Sequence, residues 1–141
     1  MATYNKFNQF VEDLVSGFHN LTASGHVVKA YASNAAPSAS LDLIKTDLAE
    51  ITAQNGYPSG GSDIQNAISE TSGTVTATAT DVVWTASGGS FGALQYVATY
   101  NDTQTSPVDP LINWWDYGSS ITVLTGETFT LDFGASWFTL A

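Results

Sequence analysis

Two histidines, thirteen acidic side chains and no cysteine bound the chemistry open to this chain of 141 residues. A nucleophilic triad needs a nucleophile, a base and an orienting acid brought together in space. The only histidines are His19 and His26, and none of the many serines sits in a G-x-S-x-G elbow. His19 follows a predicted helix and His26 opens a predicted strand, so both are expected at surface or edge positions with no catalytic role. Paired carboxylates beside sugar-stacking Trp114, Trp115 and Tyr117 would suit glycoside hydrolysis. No pair stands out among the thirteen acids, and Asp109 and Asp116, which flank the aromatic run, read as turn or rim residues.

Metal and phosphate chemistry find no better footing. Calcium takes carboxylate and carbonyl oxygens, but there is no D-x-[DN]-x-[DN]-G loop, and Asn101-Asp102-Thr103 is too sparse to form a site. Without cysteine there is no disulfide, no thiolate nucleophile and no Cys-ligated zinc. The Gly-rich stretch Gly56 to Gly61 has neither the P-loop lysine nor the G-x-G-x-x-G register, and reads as a flexible turn. No catalytic residue, cofactor or metal is expected.

Packing and contact, rather than chemistry, is the better reading of the run Asn113-Trp114-Trp115-Asp116-Tyr117-Gly118-Ser119-Ser120, in which a core aromatic followed by turn residues is the plainest arrangement. Adjacent strand residues point to opposite faces, so Trp114 and Trp115 cannot both enter one core from an extended backbone. One of them is a candidate for an interface, where Trp is enriched as an anchor.

Charge narrows the partners. Lys6, Lys29 and Lys45 are the only basic residues, and the net charge is -10. Nucleic acid and anionic membranes both draw affinity from Lys and Arg, so neither is an expected partner. No apolar window is long enough for a transmembrane span. The N-terminus lacks the basic region and apolar stretch of a signal peptide, so manufacture and retention in a cytoplasm until assembly or release is expected.

The elements that must position these residues are read from periodicity, and the length suits one domain over 1–141. Phe7, Phe10, Val11, Leu14 and Val15 recur at helical spacing, which predicts a core-docking helix or an exchangeable arm over about 4–16. His26 to Ala32 reads as a strand, and Leu41, Ile44, Leu48 and Ile51 predict a short second helix within 41–53. From Thr74 onward the texture is β. Thr74 to Thr80 alternates and continues into Val82 and Trp84 if a one-residue bulge lies near Asp81. Phe91 to Tyr100 forms the next strand. Ile121 to Leu124 and Phe129 to Phe133 predict a hairpin about Thr125-Gly126, with Phe129, Leu131 and Phe133 inward. Trp137 to Leu140 closes the chain as a strand. Short strands between Gly-rich turns predict a mainly β domain, an antiparallel sandwich or jelly-roll-like barrel with one or two short helices in the N-terminal half.

Three stretches carry a family resemblance: Met1 to Val15, within it Tyr4 to Leu14, then Asp47 to Tyr57, and the segment from Asp81 to Phe133. Within the last, Val83-Trp84-Thr85-Ala86-Ser87-Gly88-Gly89-Ser90, Tyr100-Asn101-Asp102-Thr103, Asp109 to Ser120 and Gly126 to Phe133 are the telling residues. Together they resemble a family of small tailed-bacteriophage virion proteins, similar to head decoration or cement proteins. Asn66 to Thr78 departs from that pattern, being richer in Ser and Thr than the apolar strand expected there.

The resemblance implies a non-enzymatic protein on the outer surface of the head that binds the major capsid protein and stabilises contacts between its subunits. Its homo-oligomer would follow particle symmetry, with a trimer as the first expectation. A tail or fibre component that meets a receptor is the alternative. The residues expected to make contacts are Tyr4, Phe7, Tyr57, Trp114, Trp115 and Tyr117.

Overall fold

In the computed structural model, which describes residues 2–141, short strands dominate. Met1, part of the domain expected over 1–141, lies outside the described residues. The strands are β1 (Asn5–Lys6), β2 (Val28–Ser33), β3 (Ser62–Asp63), β4 (Ala67–Thr71), β5 (Thr74–Thr78), β6 (Val82–Thr85), β7 (Phe91–Asn101), β8 (Leu111–Val123), β9 (Thr128–Leu131) and β10 (Phe138–Leu140), with one α-helix, α1 (Asn8–Val15). A five-stranded sheet runs β1-β8-β7-β2-β3, a three-stranded sheet runs β10-β5-β4, and β6 pairs with β9 as a two-stranded ribbon. Every pairing is antiparallel. The mainly β, sandwich-like fold expected from the turn spacing is present.

The large sheet is buried on both faces. On one side Val28, Ala30 and Ala32 of β2, Leu94 and Val97 of β7 and Ile112 of β8 pack against Ala77, Val82, Trp84, Phe129 and Leu131 from the smaller sheets. On the other, Tyr31, Ala98, Tyr100 and Leu111 are covered by Phe7 and Leu48, with Trp114 at the margin. Alternation along β2 serves both, because Ala30 and Tyr31 point opposite ways. In β8 the alternation is interrupted: Thr99 pairs with Asn113 and Tyr100 with Leu111, so Ile112 is an extra residue. This bulge turns Ile112 and Asn113 toward the main core and sends Trp114 to the back.

Four expectations are corrected. The helix begins at Asn8 rather than near residue 4, because Asn5 and Lys6 pair with Trp114 and Asn113 of β8. Its buried face is Phe10 and Asp13, whereas Val11 and Val15 are exposed. The second helix within 41–53 does not form; only a 3-10 turn spans Lys45–Asp47. Its backbone groups bond outward instead: Leu43 O accepts from Leu111 N–H, Lys45 N–H donates to Asp109 O and Ile51 N–H donates to Ala32 O. Leu48 is thereby laid against the sheet, and Leu41 is left exposed.

The other two corrections concern strand pairing. No bulge joins Thr78 to Val82; the chain changes sheets there, and Asp81 Oδ1 accepts the Phe133 N–H. The turn at Thr125-Gly126 forms, with Glu127 N–H donating to Leu124 O, but β9 pairs with β6 rather than folding back on β8. Phe129, Leu131 and Phe133 are nonetheless buried as their alternation required. The Ser/Thr-rich stretch before Thr78 is the β4–β5 hairpin, whose first strand is almost wholly exposed. Its polar composition follows from that.

What holds the irregular segment 34–61 to the back of the sheet is one carboxylate. Glu50 Oε1 accepts from the Tyr57 hydroxyl at 2.9 Å and the Gly60 N–H at 2.7 Å, and Oε2 accepts from Lys45 Nζ at 2.8 Å. The Lys45 ammonium lies 5.0 Å from the Tyr31 ring centre and 5.4 Å from that of Tyr100. The Tyr57 hydroxyl in turn accepts the Ala32 N–H, and the Tyr100 hydroxyl donates to Gly60 O. Gly61 completes the approach: with φ +71 and a Cβ position only 1.8 Å from Ala30 O, it admits no side chain. Removing the carboxylate strands a largely desolvated ammonium, a hydroxyl and an amide. Glu50→Ala is expected to cost roughly 3 kcal/mol of unfolding free energy, read as a lowered midpoint in urea with an unchanged slope.

Candidate functional site

The gap between the two layers stays open along one side, because β9 turns away from β8 to join β6. There a groove of about 420 Å³ is lined by Gln95, Val97, Trp115 and Tyr117 from the large sheet, Phe129 to Phe133 from β9 and the residues after it, and Ser136, Trp137, Ala2 and Tyr4. A second hollow of about 360 Å³ shares Tyr117, Phe129 and Thr130 with it and extends past Thr128 to Glu127. The two run on as one trough beside β9.

Register decides which rings reach it. Leu94 lies opposite Ile121 and Tyr96 opposite Asp116, so Tyr117 to Ser120 have no partners on β7 and bulge outward. Gly118 takes φ +99 in this bulge, and its N–H donates to Asp116 Oδ1. Tyr117 is lifted to the rim, 57% exposed, with its ring 6.0 Å from Phe129. Trp115 stands deeper and meets Phe133 edge to face at 5.5 Å and Tyr4 at 6.1 Å. At the inner end Trp137 Nε1–H donates to Asn113 Oδ1, which also accepts the Thr99 hydroxyl. The Ile112 bulge therefore holds the groove's floor as well as the core.

The electrostatics are one-sided. Asp132 lines the groove, Glu127 lines its extension, and Asp116 accepts the Gln95 amide beside it. No Lys is among the lining residues, and Lys29 and Lys45 are tied to Asp102 and Glu50 elsewhere. Burial holds the Tyr4 hydroxyl well above the usual phenol range, so it is a neutral donor at physiological pH. Aromatic faces, neutral hydroxyls and unpaired carboxylates make a surface that can stack and hydrogen-bond; anions are disfavoured in it.

Of the residues expected to make contacts, the structure brings Tyr4, Trp115 and Tyr117 together in this groove. Trp114 is on the opposite face of the sheet, 4.6 Å from the Phe7 ring. Phe7 and Tyr57 are corrected: both are buried core residues with no surface to offer a partner. Phe7 N–H donates to Ile112 O, and Tyr57 is locked between Glu50 and β2. Sequence reasoning missed Phe133, Trp137, Gln95 and Asp132 as groove residues. Alternation marked Phe133 as inward-facing, but nothing local says that the interior opens there.

The surface position expected for His19 is corrected, whereas His26 is half-buried just ahead of β2. His19 is buried, and Asn101 Nδ2 lies 3.1 Å from its Nδ1 and 2.9 Å from Nδ1 of His26, while also donating to Phe18 O. The cluster pins the segment after α1 to the end of β7. Among the described residues no group of three or more acidic or histidine side chains is placed to hold a metal, and no helix is long and apolar enough to cross a membrane.

No protein-family model matches this chain, and no curated protein or solved structure matches it either.

Burial, with His26 nearby, lowers the His19 pKa to about 4. A base whose folded pKa lies below its unfolded value of about 6.5 favours the fold above that value and loses its contribution as pH falls toward 4. Asp13 acts in the opposite sense, because burial raises its pKa. Between pH 6.5 and 4 the His19 contribution is expected to fall by up to about 3 kcal/mol. Denaturation series at stepped pH on wild type and His19→Gln check this, the variant lacking that component of the slope.

Proposed function

We propose that this chain is a non-enzymatic structural protein of a tailed-bacteriophage virion, a decoration or cement protein on the outside of the head that fastens neighbouring major capsid subunits. The observation that carries the reading is the open aromatic groove on a body whose main sheet is packed on both faces. Clamping a shell asks for a rigid block with a contact surface, and that is what the groove and the double core supply together. The residues around Trp114 to Ser120 that line or border it are also those that carry the likeness to virion proteins.

The physical logic of the role is additive. Copies arranged around symmetry axes, as trimers on the simplest expectation, multiply weak contacts until the shell resists internal pressure. A net charge of -10 repels DNA and suits an external position.

A second reading is favoured by one feature of the groove. Trp115 and Tyr117 present ring faces beside Gln95 and Asp132, a combination that also stacks on and hydrogen-bonds to sugars. In that case the protein belongs to the tail or fibres and meets a host glycan.

Quantitative mass spectrometry of purified particles separates the two. A ratio to the major capsid protein near one, or a simple fraction of it, is expected; a few to some tens of copies per particle would move the protein to the tail. On the head reading Trp115→Ala is expected to weaken binding to particles stripped of the protein by roughly 2 kcal/mol, about thirtyfold.

A further inference from the structure

We propose that the trough beside β9 receives an extended segment of a partner protein as an added strand, one with apolar side chains at alternate positions and Lys or Arg at its flanks. The inference does not depend on whether that partner belongs to a head or a tail.

Ala86 N–H donates to Glu127 O, and the register then runs Thr85–Thr128, Trp84–Phe129, Val83–Thr130 and Val82–Leu131. In an antiparallel ladder hydrogen-bonded pairs alternate, so Phe129 and Leu131 spend their backbone groups on β6. The N–H and C=O of Thr128, Thr130 and Asp132 point the other way. That edge has no strand partner among the described residues, where β9 neighbours β6 alone. Across the trough, β1 pairs with β8 only at Asn113 and Trp114, and no described strand pairs with that edge from Trp115 onward. Edges of this kind are ordinarily blunted by Lys, Pro or a covering element, and β9 with its two flanking residues, Glu127 to Asp132, contains neither Lys nor Pro.

An added strand points alternate residues inward, and inward of this edge lies the aromatic hollow of about 420 Å³ between Trp115, Tyr117, Phe133 and Trp137. The trough follows the chain from Glu127 to Phe133, a length that matches an extended segment of about six residues at ~3.3 Å each. Its carboxylates, Glu127 at one end and Asp132 at the other, with Asp116 alongside, form no salt bridge with a lysine among the described residues. Charge complementarity assigns them to basic flanks on the partner.

The test uses the intact protein and arrays of eight-residue peptides carrying Val, Leu, Ile or Phe at alternate positions, Thr between them and Lys at both ends. Expected is micromolar binding, by fluorescence anisotropy, for a subset of these. For the best peptide, N-methylating the amides of one alternate set should weaken binding at least tenfold, and methylating the other set should be tolerated. Exchanging the terminal Lys for Glu should weaken it at least tenfold at low salt. Thr130→Pro, which removes an outward N–H, should reproduce the loss; should that variant fail to fold, the two methylated peptides decide alone. Equal tolerance of both methylated sets, equal binding of the Glu-flanked peptide, or no binding across the array would each overturn the proposal, as would displacement of the best peptide by a neutral oligosaccharide such as maltohexaose.

Discussion

A sheet buried on both faces needs two covers, and that constraint organises this molecule. The front cover is ordinary, two small antiparallel sheets that contribute Ala77, Val82, Trp84, Phe129 and Leu131. The back cover is a segment with almost no regular structure, and its backbone groups must still be paired. Leu43, Lys45 and Ile51 bond to neighbouring strands or to the loop before β8, Asp47 Oδ2 accepts the N–H groups of Leu43 and Ile44, and Glu50 ties Lys45, Tyr57 and Gly60 into one node. Aromatic rings then sit beneath a charged pair without leaving a buried polar group of that node unsatisfied.

Bulges in β8 divide the strand between structure and contact. At Ile112 one extra residue re-aims the chain so that Asn113 reaches Trp137 and Thr99, and Trp114 reaches Phe7. At Tyr117 to Ser120 a longer interruption lets the strand leave the ladder and present its ring at the surface. Because β9 pairs with β6, the sandwich is open on the side where that ring emerges. One strand thus both closes the core and borders the aromatic trough, so the contact surface is braced by the core itself.

Legibility varied with how local the cause was. Thr74 to Thr78 and Phe91 to Asn101 were readable as strands because alternation is a property of the segment. Leu41, Ile44, Leu48 and Ile51 have helical spacing yet form no helix, because Ala32, Asp109 and Leu111 compete for the backbone groups of Leu43, Lys45 and Ile51. Val11 and Val15 belong to the apolar face by periodicity, but β8 captures Asn5 and Lys6 and rotates α1 so that Phe10 and Asp13 are buried instead. Trp114 and Trp115 were separable in advance, since neighbours on a strand face opposite ways. Which of them would meet solvent and which the back cover was not.

By itself the sequence determined that this is a mainly β chain, strongly acidic, without thiol chemistry, and carrying an aromatic run too dense for one core face. These follow from composition and from period-two patterning, which depend on nothing beyond neighbours in the chain. Only the tertiary structure decided that β9 joins β6, that Phe7 and Tyr57 are interior, that both histidines converge on Asn101, and that Tyr4, Trp115 and Tyr117 share a groove with Phe133 and Trp137. Strand partners are chosen by competition among edges distant in sequence, and a one-residue bulge changes the face of every side chain beyond it. Such choices are settled by the whole packed arrangement, so no local pattern records them.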